Sequence, residues 1–319
     1  MNWINSNSPI TFPGLGLEMN PPKGFTVGNF SVHFYGLVIV LGLMLACVYG
    51  LRRKKQFGLT EDQIVDGALW IIPLAIVCAR LYYCIFSWSA YKDNPIEILY
   101  IWEGGLAIYG GVIGAAIGIV VYCLIKKIPI GTALDITSLG FLIGQSIGRW
   151  GNFFNREAFG DQTTNIFRMG LNLTEKGYVS YATHFYHPTF LYESVWNAIG
   201  FVLLHFMSKK RKFDGQIALG YAAWYGLGRT FIEGLRTDSL YWGQFRVSQM
   251  LAAISCFVAV AILVWLSFRE HPAEKLYVNR VAAMAEAEEA VEDEDVEYVY
   301  EDETEEEEAE EETEEKAEE

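Results

Sequence analysis

Cysteine is scarce in this chain and poorly placed for cross-linking. Cys47, Cys78, Cys84, Cys123 and Cys256 all fall within apolar runs, and none shows metal-ligand spacing. That pattern excludes a disulfide framework and gives no basis for a metal site or a catalytic thiol. The five read as small buried hydrophobes. If a thiol takes part in chemistry, it arrives with a substrate. No metal, cofactor or nucleic-acid partner is expected. The first 29 residues hold one lysine, several prolines and glycines, and lack the basic-then-apolar order of a cleavable leader. They read as an external arm, 1–29, leading into the first apolar run. No internal repeat is visible.

Acidic residues are also scarce over most of the chain, although the formal net charge is -15. Residues 270–319 hold 24 acidic and three basic residues, against 39 and 24 in the whole chain. The remainder therefore has 15 acidic and 21 basic residues, an excess that suits a protein beside anionic lipid. The segment from 286 onward is nearly all Glu, Asp and Ala. It cannot bury apolar surface, and its charges repel, so the tail 269–319 is expected to be disordered.

What is abundant is apolar sequence, 52% of 319 residues. It falls into seven runs of about 20 residues, long enough to cross a bilayer. They cover approximately 30–51, 64–86, 104–125, 132–153, 188–207, 215–235 and 245–268. The expected fold is an all-α integral membrane protein of about seven transmembrane helices, 30–268. A small external head with short strands, 155–187, is expected in the longest connection. "RRKK" at 52–55, "KK" at 126–127 and "KKRK" at 209–212 occupy every second loop. Basic loops face the cytoplasm, which puts the N-terminus outside and the tail inside.

Oriented this way, the polar residues of six spans meet at one level near the outer face. Tyr35 lies in the first span and Arg80 in the outer half of the second. Glu103 and Tyr109 open the third, and Arg149, Asn152, Asn155 and Glu157 close the fourth. His187, Tyr192 and Glu193 begin the fifth, while Arg229, Glu233 and Arg236 end the sixth. Asp66 and Asp135 lie nearer the inner ends and form no comparable cluster. Charges at such depth are expensive and face a cavity or a partner. Arg229 and Glu233 are four apart and Arg149 and Asn152 three apart, so each pair shares a helical face. Guanidinium groups at headgroup depth suit a phosphate, which they can bind bidentately. Glu157 and Glu233 could orient the arginines or hold hydroxyls. Two functions use such a cluster: an enzyme acting on an anionic lipid, or a transporter or lipid-binding protein that only holds the headgroup. The one-sided cluster and the absence of matching halves favour the enzyme.

The segment "GRWGNFFNREAFG", 148–160, resembles the signature of the phosphatidylglycerol:prolipoprotein diacylglyceryl transferases, and every fixed position of G-R-x-G/A-N-F-x-N-x-E-x-x-G is met. Similar segments follow the family's order: "HFYG" at 33–36, "WEGGLAIYGG" at 102–111, "HPTFLYE" at 187–193 and "GRTFIEGLR" at 228–236. The resemblance covers roughly 30–268. It implies transfer of a diacylglyceryl group from phosphatidylglycerol to the lipobox cysteine of a prolipoprotein, with release of glycerol phosphate and formation of a thioether. It further implies a multi-pass protein of the bacterial cytoplasmic (inner) membrane, with membrane lipids and a prolipoprotein signal peptide as partners.

Carried onto this chain, the resemblance makes Arg149 and Arg229 phosphate ligands. Asn152, Glu157, Gly160 and Glu233 join the essential cluster, and Tyr35 becomes a site residue. Arg80, Asn155, His187, Tyr192, Glu193 and Arg236 support it. Tyr109 stands where some members carry a histidine proposed as general base. A phenol with pKa near ~10 is a poor base at neutral pH. Either another residue takes the proton or no strong base is needed, since a free thiol, with pKa about 8.5, is already partly ionised there.

Overall fold

The computed structural model of the chain describes residues 2–6, 9–28, 30–172, 185–236, 241–242 and 245–291. The head segment 173–184 and the acidic end beyond 291 lie outside them.

Seven helices of 18 to 26 residues form the body: α1 (Phe34–Arg53), α2 (Glu61–Phe86), α4 (Ile108–Lys126), α5 (Ile130–Asn155), α6 (Thr189–Ser208), α7 (Gln216–Glu233) and α8 (Val247–Ser267). A single turn, α3 (Trp88–Tyr91), follows α2. Among the described residues, six helices are long and apolar enough to cross a membrane. The exception is α7, whose apolar content is diluted by Gln216, Arg229, Glu233 and its glycines. The long helices coincide with the apolar runs to within four residues at each end. Large side chains such as Phe86, Leu124 and Phe257 point outward, about 70% exposed. In a soluble protein that would be an aggregation hazard; against lipid it is the favourable arrangement.

Glycines set the close helix contacts. On α4, Gly110 and Gly114 face Cys78 of α2 so tightly that a Cβ on Gly114 would lie 2.6 Å from the Cys78 Cβ. On α5, Gly144 meets Gly42 of α1, and Gly151 meets the ring of Tyr35. Helix α5 is central, packing against α1, α6 and α7, while α2 and α4 pack mainly on each other.

The end of the bundle that carries the basic loops holds the larger buried cluster, including Phe57, Leu59, Tyr122, Leu139, Leu204 and Ile217. Asp135 of α5 is fully buried there and accepts from the backbone N–H groups of Gly215, Ile217 and Ala218 at 2.8–2.9 Å. A carboxylate from one helix thus caps the positive end of α7. Beside it Arg211 lies over the Phe57 ring at 4.3 Å and donates to the Gln56 carbonyl at 2.9 Å.

Two features differ from the sequence expectation. The arm and the head form one unit. Strands β1 (Asn2–Ile4), β4 (Gly24–Val27) and β5 (Phe30–His33) make one antiparallel sheet, in the order β1-β4-β5. Strands β2 (Ile10–Phe12) and β3 (Leu17–Met19) join β6 (Met169–Leu171) and β7 (Phe185–Tyr186) in a second, in the order β3-β2-β6-β7. Ile10, Phe12, Phe153, Met169 and Phe190 bury a common core beneath it. A hairpin, β8 (Tyr241–Trp242) and β9 (Phe245–Arg246), precedes α8. The second difference concerns only the start of the tail, 269–319, expected to be disordered; the part beyond 291 lies outside the described residues. Residues 277–291 are helical, and the tail's start is docked. His271 stacks on Phe213 at 4.6 Å, Tyr277 donates from its backbone to Asp214 at 2.9 Å, and Val278 lies against Gly58. Tyr277 and Val278 supply apolar surface, of which the predominantly acidic sequence further on has little.

Candidate functional site

Helix α5 ends in the motif segment, and its last turn turns back on itself. Arg156 (φ 52°) and Ala158 (φ 56°) both adopt the left-handed conformation, uncommon for residues with a side chain. They flank Glu157, so the chain reverses and returns its carboxylate to the helix end. There Oε1 accepts from Asn152 and Asn155, each at 3.1 Å. Arg156 holds the reversal in place and staples it to the N-terminal arm. It is buried and donates to Phe154 O at 2.7 Å, Asn20 Oδ1 at 3.0 Å and Pro21 O at 2.7 Å.

From Asn152 the network runs inward and across three helices. Arg149 donates to Asn152 Oδ1 at 3.3 Å, and its Nε forms an ion pair with Glu193 of α6. The other oxygen of Glu193 accepts from Arg229 of α7. Arg229 also pairs with Glu233 at 2.6 Å, and Arg236 follows with its Nε 4.0 Å from the same carboxylate. Arg246 donates to the Glu233 carbonyl. Three arginines thus alternate with three glutamates, Glu157, Glu193 and Glu233, and Arg246 adds a fourth cation.

The two central arginines are less buried than the carboxylates that hold them. Glu193 and Glu233 are buried, at 3% and 2% exposure, whereas the side chains of Arg149 and Arg229 remain 23% and 18% exposed. Nη2 of Arg149 and Nε of Arg229 have no partner among the described residues. Preorganised guanidinium groups with free N–H donors are suited to a phosphoryl group. Tyr35 packs over Gly151, where a Cβ would come within 2.7 Å of its ring, close enough to Glu157 and Arg149 to interact with both charges.

Gly160 enters through its backbone. It bridges Arg236 and donates to the His187 carbonyl at 2.9 Å. A Cβ here would lie 2.6 Å from Leu235 O, so only glycine lets the head lie flat on the end of α7. His187 Nδ1 lies 3.3 Å from the Tyr192 hydroxyl, at the start of α6.

Two expected members are not tied into this network by hydrogen bonds. Arg80 is buried on α2 and donates to the carbonyls of Glu97, Ile98, Gly104 and Gly105 at 2.6–3.2 Å. It staples the 95–105 loop, where Gly105 (φ 69°) leaves room for its guanidinium. Tyr109 is half exposed on α4 with its ring 6.5 Å from that of Tyr82, and makes no hydrogen bond to the arginine network. The side chain of Glu103 lies outside the description. Sequence reasoning gave Glu193 a supporting place, whereas it is the bridge between the two arginines. It overlooked the structural part of Arg156, a position that the signature leaves open. Among the described residues no group of three or more His, Cys, Asp or Glu is gathered as a metal set would require.

Residues 22–265 match the family model described as prolipoprotein diacylglyceryl transferase. The chain is 41% identical over 263 residues to a phosphatidylglycerol--prolipoprotein diacylglyceryl transferase of Listeria monocytogenes serotype 4a (strain HCC23), covering 81% of this chain and 94% of that protein. It is similar to the like-named proteins of Limosilactobacillus reuteri (strain DSM 20016), at 40% over 274 residues, and Lysinibacillus sphaericus (strain C3-41), at 40% over 269. These alignments cover 84% and 83% of this chain and 98% of each relative.

Proposed function

The chain belongs to the prolipoprotein diacylglyceryl transferase family, and from that premise we propose that its Glu193-centred arginine pair receives the phosphate of phosphatidylglycerol. The protein is a multi-pass membrane transferase. It moves the diacylglyceryl group of phosphatidylglycerol to a prolipoprotein, the first step of lipoprotein maturation. The acceptor is the thiol of the lipobox cysteine beside a membrane-inserted signal peptide, and the products are a thioether and glycerol phosphate. The basic loops at 52–55, 126–127 and 209–212 support an orientation with the arginine network and N-terminus at the outer face of the bacterial cytoplasmic membrane and the tail in the cytoplasm.

The observation that carries the reading is the pair Arg149 and Arg229, offered by α5 and α7 and tied to one buried carboxylate. In the reaction, the cysteine sulfur forms a bond to the glyceryl carbon that carries the phosphate oxygen. The carbon–oxygen bond breaks, and its electron pair stays with the departing phosphate. Charge therefore accumulates on the leaving group, where fixed cationic donors contribute most. Glu193 and Glu233 hold the guanidiniums from behind, so no reorganisation is needed as that charge develops. Asn152, Asn155 and Glu157 lock the outer side of Arg149, and Tyr35 borders the same end. The nucleophile is the ionised fraction of the thiol, whose proton is already lost to solvent, so Tyr109 need not act as a base.

The test is incubation of the purified protein with phosphatidylglycerol and a lipobox peptide. Thioether product and glycerol phosphate in equal amounts are expected. A cysteine-to-serine peptide should give none. Headgroup binding without turnover of the cysteine peptide would refute the reading.

A further inference from the structure

Two reciprocal clasps frame Glu193. On its α7 side, Trp196 Nε1 donates to the Trp224 carbonyl at 3.0 Å, and Trp224 Nε1 donates to the Trp196 carbonyl at 3.0 Å. The indoles stack with centroids 4.3 Å apart and planes 17° from parallel. Each ring also covers a glycine of the opposite helix. A Cβ on Gly228 would lie 2.1 Å from Trp196 Nε1, and one on Gly200 would lie 2.4 Å from Trp224 Nε1. The sequences explain the symmetry: "WNAIG" on α6 and "WYGLG" on α7 both read W-x-x-x-G. On the α5 side the pattern recurs with serines. Ser194 Oγ donates to Ser146 O at 2.7 Å, and Ser146 Oγ donates to Ser194 O at 2.9 Å.

Reciprocity makes these contacts sensitive to sliding. A one-residue slip of α7 along α6 is about 1.5 Å. It would pull both indole donors off their carbonyls together, and a hydrogen bond tolerates only a few tenths of an ångström. In lipid, an indole N–H released in this way finds no water. Glu193 stands one turn before Trp196, and Arg229 directly follows Gly228, so the register held by the indoles is the register of the Glu193–Arg229 contact.

We propose that Trp196 and Trp224 are positioning residues for the phosphate site: they fix the register of α7 on α6 at which Glu193 reaches Arg229, and so the placement of Arg229 relative to Arg149. This rests on the reading of Arg149 and Arg229 as phosphate ligands. The serine clasp holds the other side of Glu193, so the site is set by contacts that touch neither substrate.

Gly200→Ala tests the device from a distance. Gly200 is two turns from Glu193 and touches none of the network, so its effect has to travel through the Trp224 ring. The readouts are inhibition by added glycerol phosphate, KM for phosphatidylglycerol, KM for the lipobox peptide, and thermal stability. Inhibition constant and lipid KM should rise together by about tenfold, the worth of one hydrogen bond, while the peptide KM stays within about twofold. Trp224→Phe in the Gly200→Ala background should add little further loss, because the indole donor it removes is already displaced by the added methyl. Gly220→Ala crowds Leu204 and Met207 on the same helix pair without touching the indoles. It should lower stability and leave glycerol phosphate inhibition unchanged.

An unchanged inhibition constant in folded Gly200→Ala protein overturns the proposal, as does an equal rise in Gly220→Ala. If Gly200→Ala does not fold, Trp224→Phe alone carries the test, since it keeps a ring in the stack and loses one donor. A raised inhibition constant supports the clasp, and an unchanged one overturns it. Arg149→Lys and Arg229→Lys separate the two layers. If they leave inhibition unchanged, the phosphate reading has failed and the clasp proposal falls with it. If they raise it while the clasp variants do not, only the clasp proposal has failed.

Discussion

Replacing Glu193 by glutamine keeps its volume and removes the charge that Arg149 and Arg229 share. The carboxylate is almost fully buried, at 4% side-chain exposure, and each oxygen serves a different guanidinium. A glutamine offers one acceptor oxygen and turns an NH₂ toward the other arginine, so one contact is lost and the second loses its charge assistance. Hydrogen bonds to charged groups contribute about 1.5–3 kcal/mol each, and removing one partner of a buried pair costs about 3–5 kcal/mol. A loss of ~3 kcal/mol in transition-state stabilisation is about 10² in rate. Single-turnover conversion of a lipobox peptide in phosphatidylglycerol micelles should fall by that factor. Glu193→Asp should be intermediate, because a carboxylate one methylene shorter reaches only one arginine well. Folding is monitored by thermal unfolding in the same detergent. A folded Glu193→Gln protein within about threefold of the parent rate would refute the claim that Glu193 organises the site.

Arg149→Lys and Arg229→Lys should each reduce turnover by about 10²–10³, since lysine keeps the charge and loses the planar fork. Tyr109→Phe should cost about tenfold or less by the same assay, because no hydrogen bond ties its hydroxyl to the arginine network. Arg80→Met should lower the unfolding temperature by releasing four loop carbonyls, a cost of about 2–4 kcal/mol, while the KM for phosphatidylglycerol holds. Truncation after residue 291 should leave turnover intact. Truncation before His271 should destabilise the protein, since it removes the His271–Phe213 stack and the Tyr277 contact, and thermal unfolding of both proteins distinguishes the two outcomes. Cysteines placed in the 155–172 part of the head should be labelled in intact cells, and those after 280 only after membrane disruption.

Much of this protein follows from periodicity and charge along the chain. Apolar run length gave the long helices, because a bilayer span needs about 20 residues whatever they pack against. Helical spacing gave the Arg229–Glu233 pair, and the same rule placed Asn152 beside Arg149. The motif at 148–160 pointed to the right helix end for the cluster. Contacts between helices were decided by tertiary structure alone. Arg80 and Arg149 carry the same side chain at the same expected depth, yet Arg80 is taken up by loop carbonyls while Arg149 faces a carboxylate on another helix. Asp135 looked isolated in sequence and caps α7 from 80 residues away. Tyr277 belongs by composition to an acidic tail and is docked on Asp214. Glu193 joins two arginines because α6 meets α5 and α7 at one register, held by serines, indoles and the glycines beneath those indoles. Local propensity says which face a residue takes on its own helix. The register between helices depends on many weak contacts acting together, and those exist only once the helices have packed.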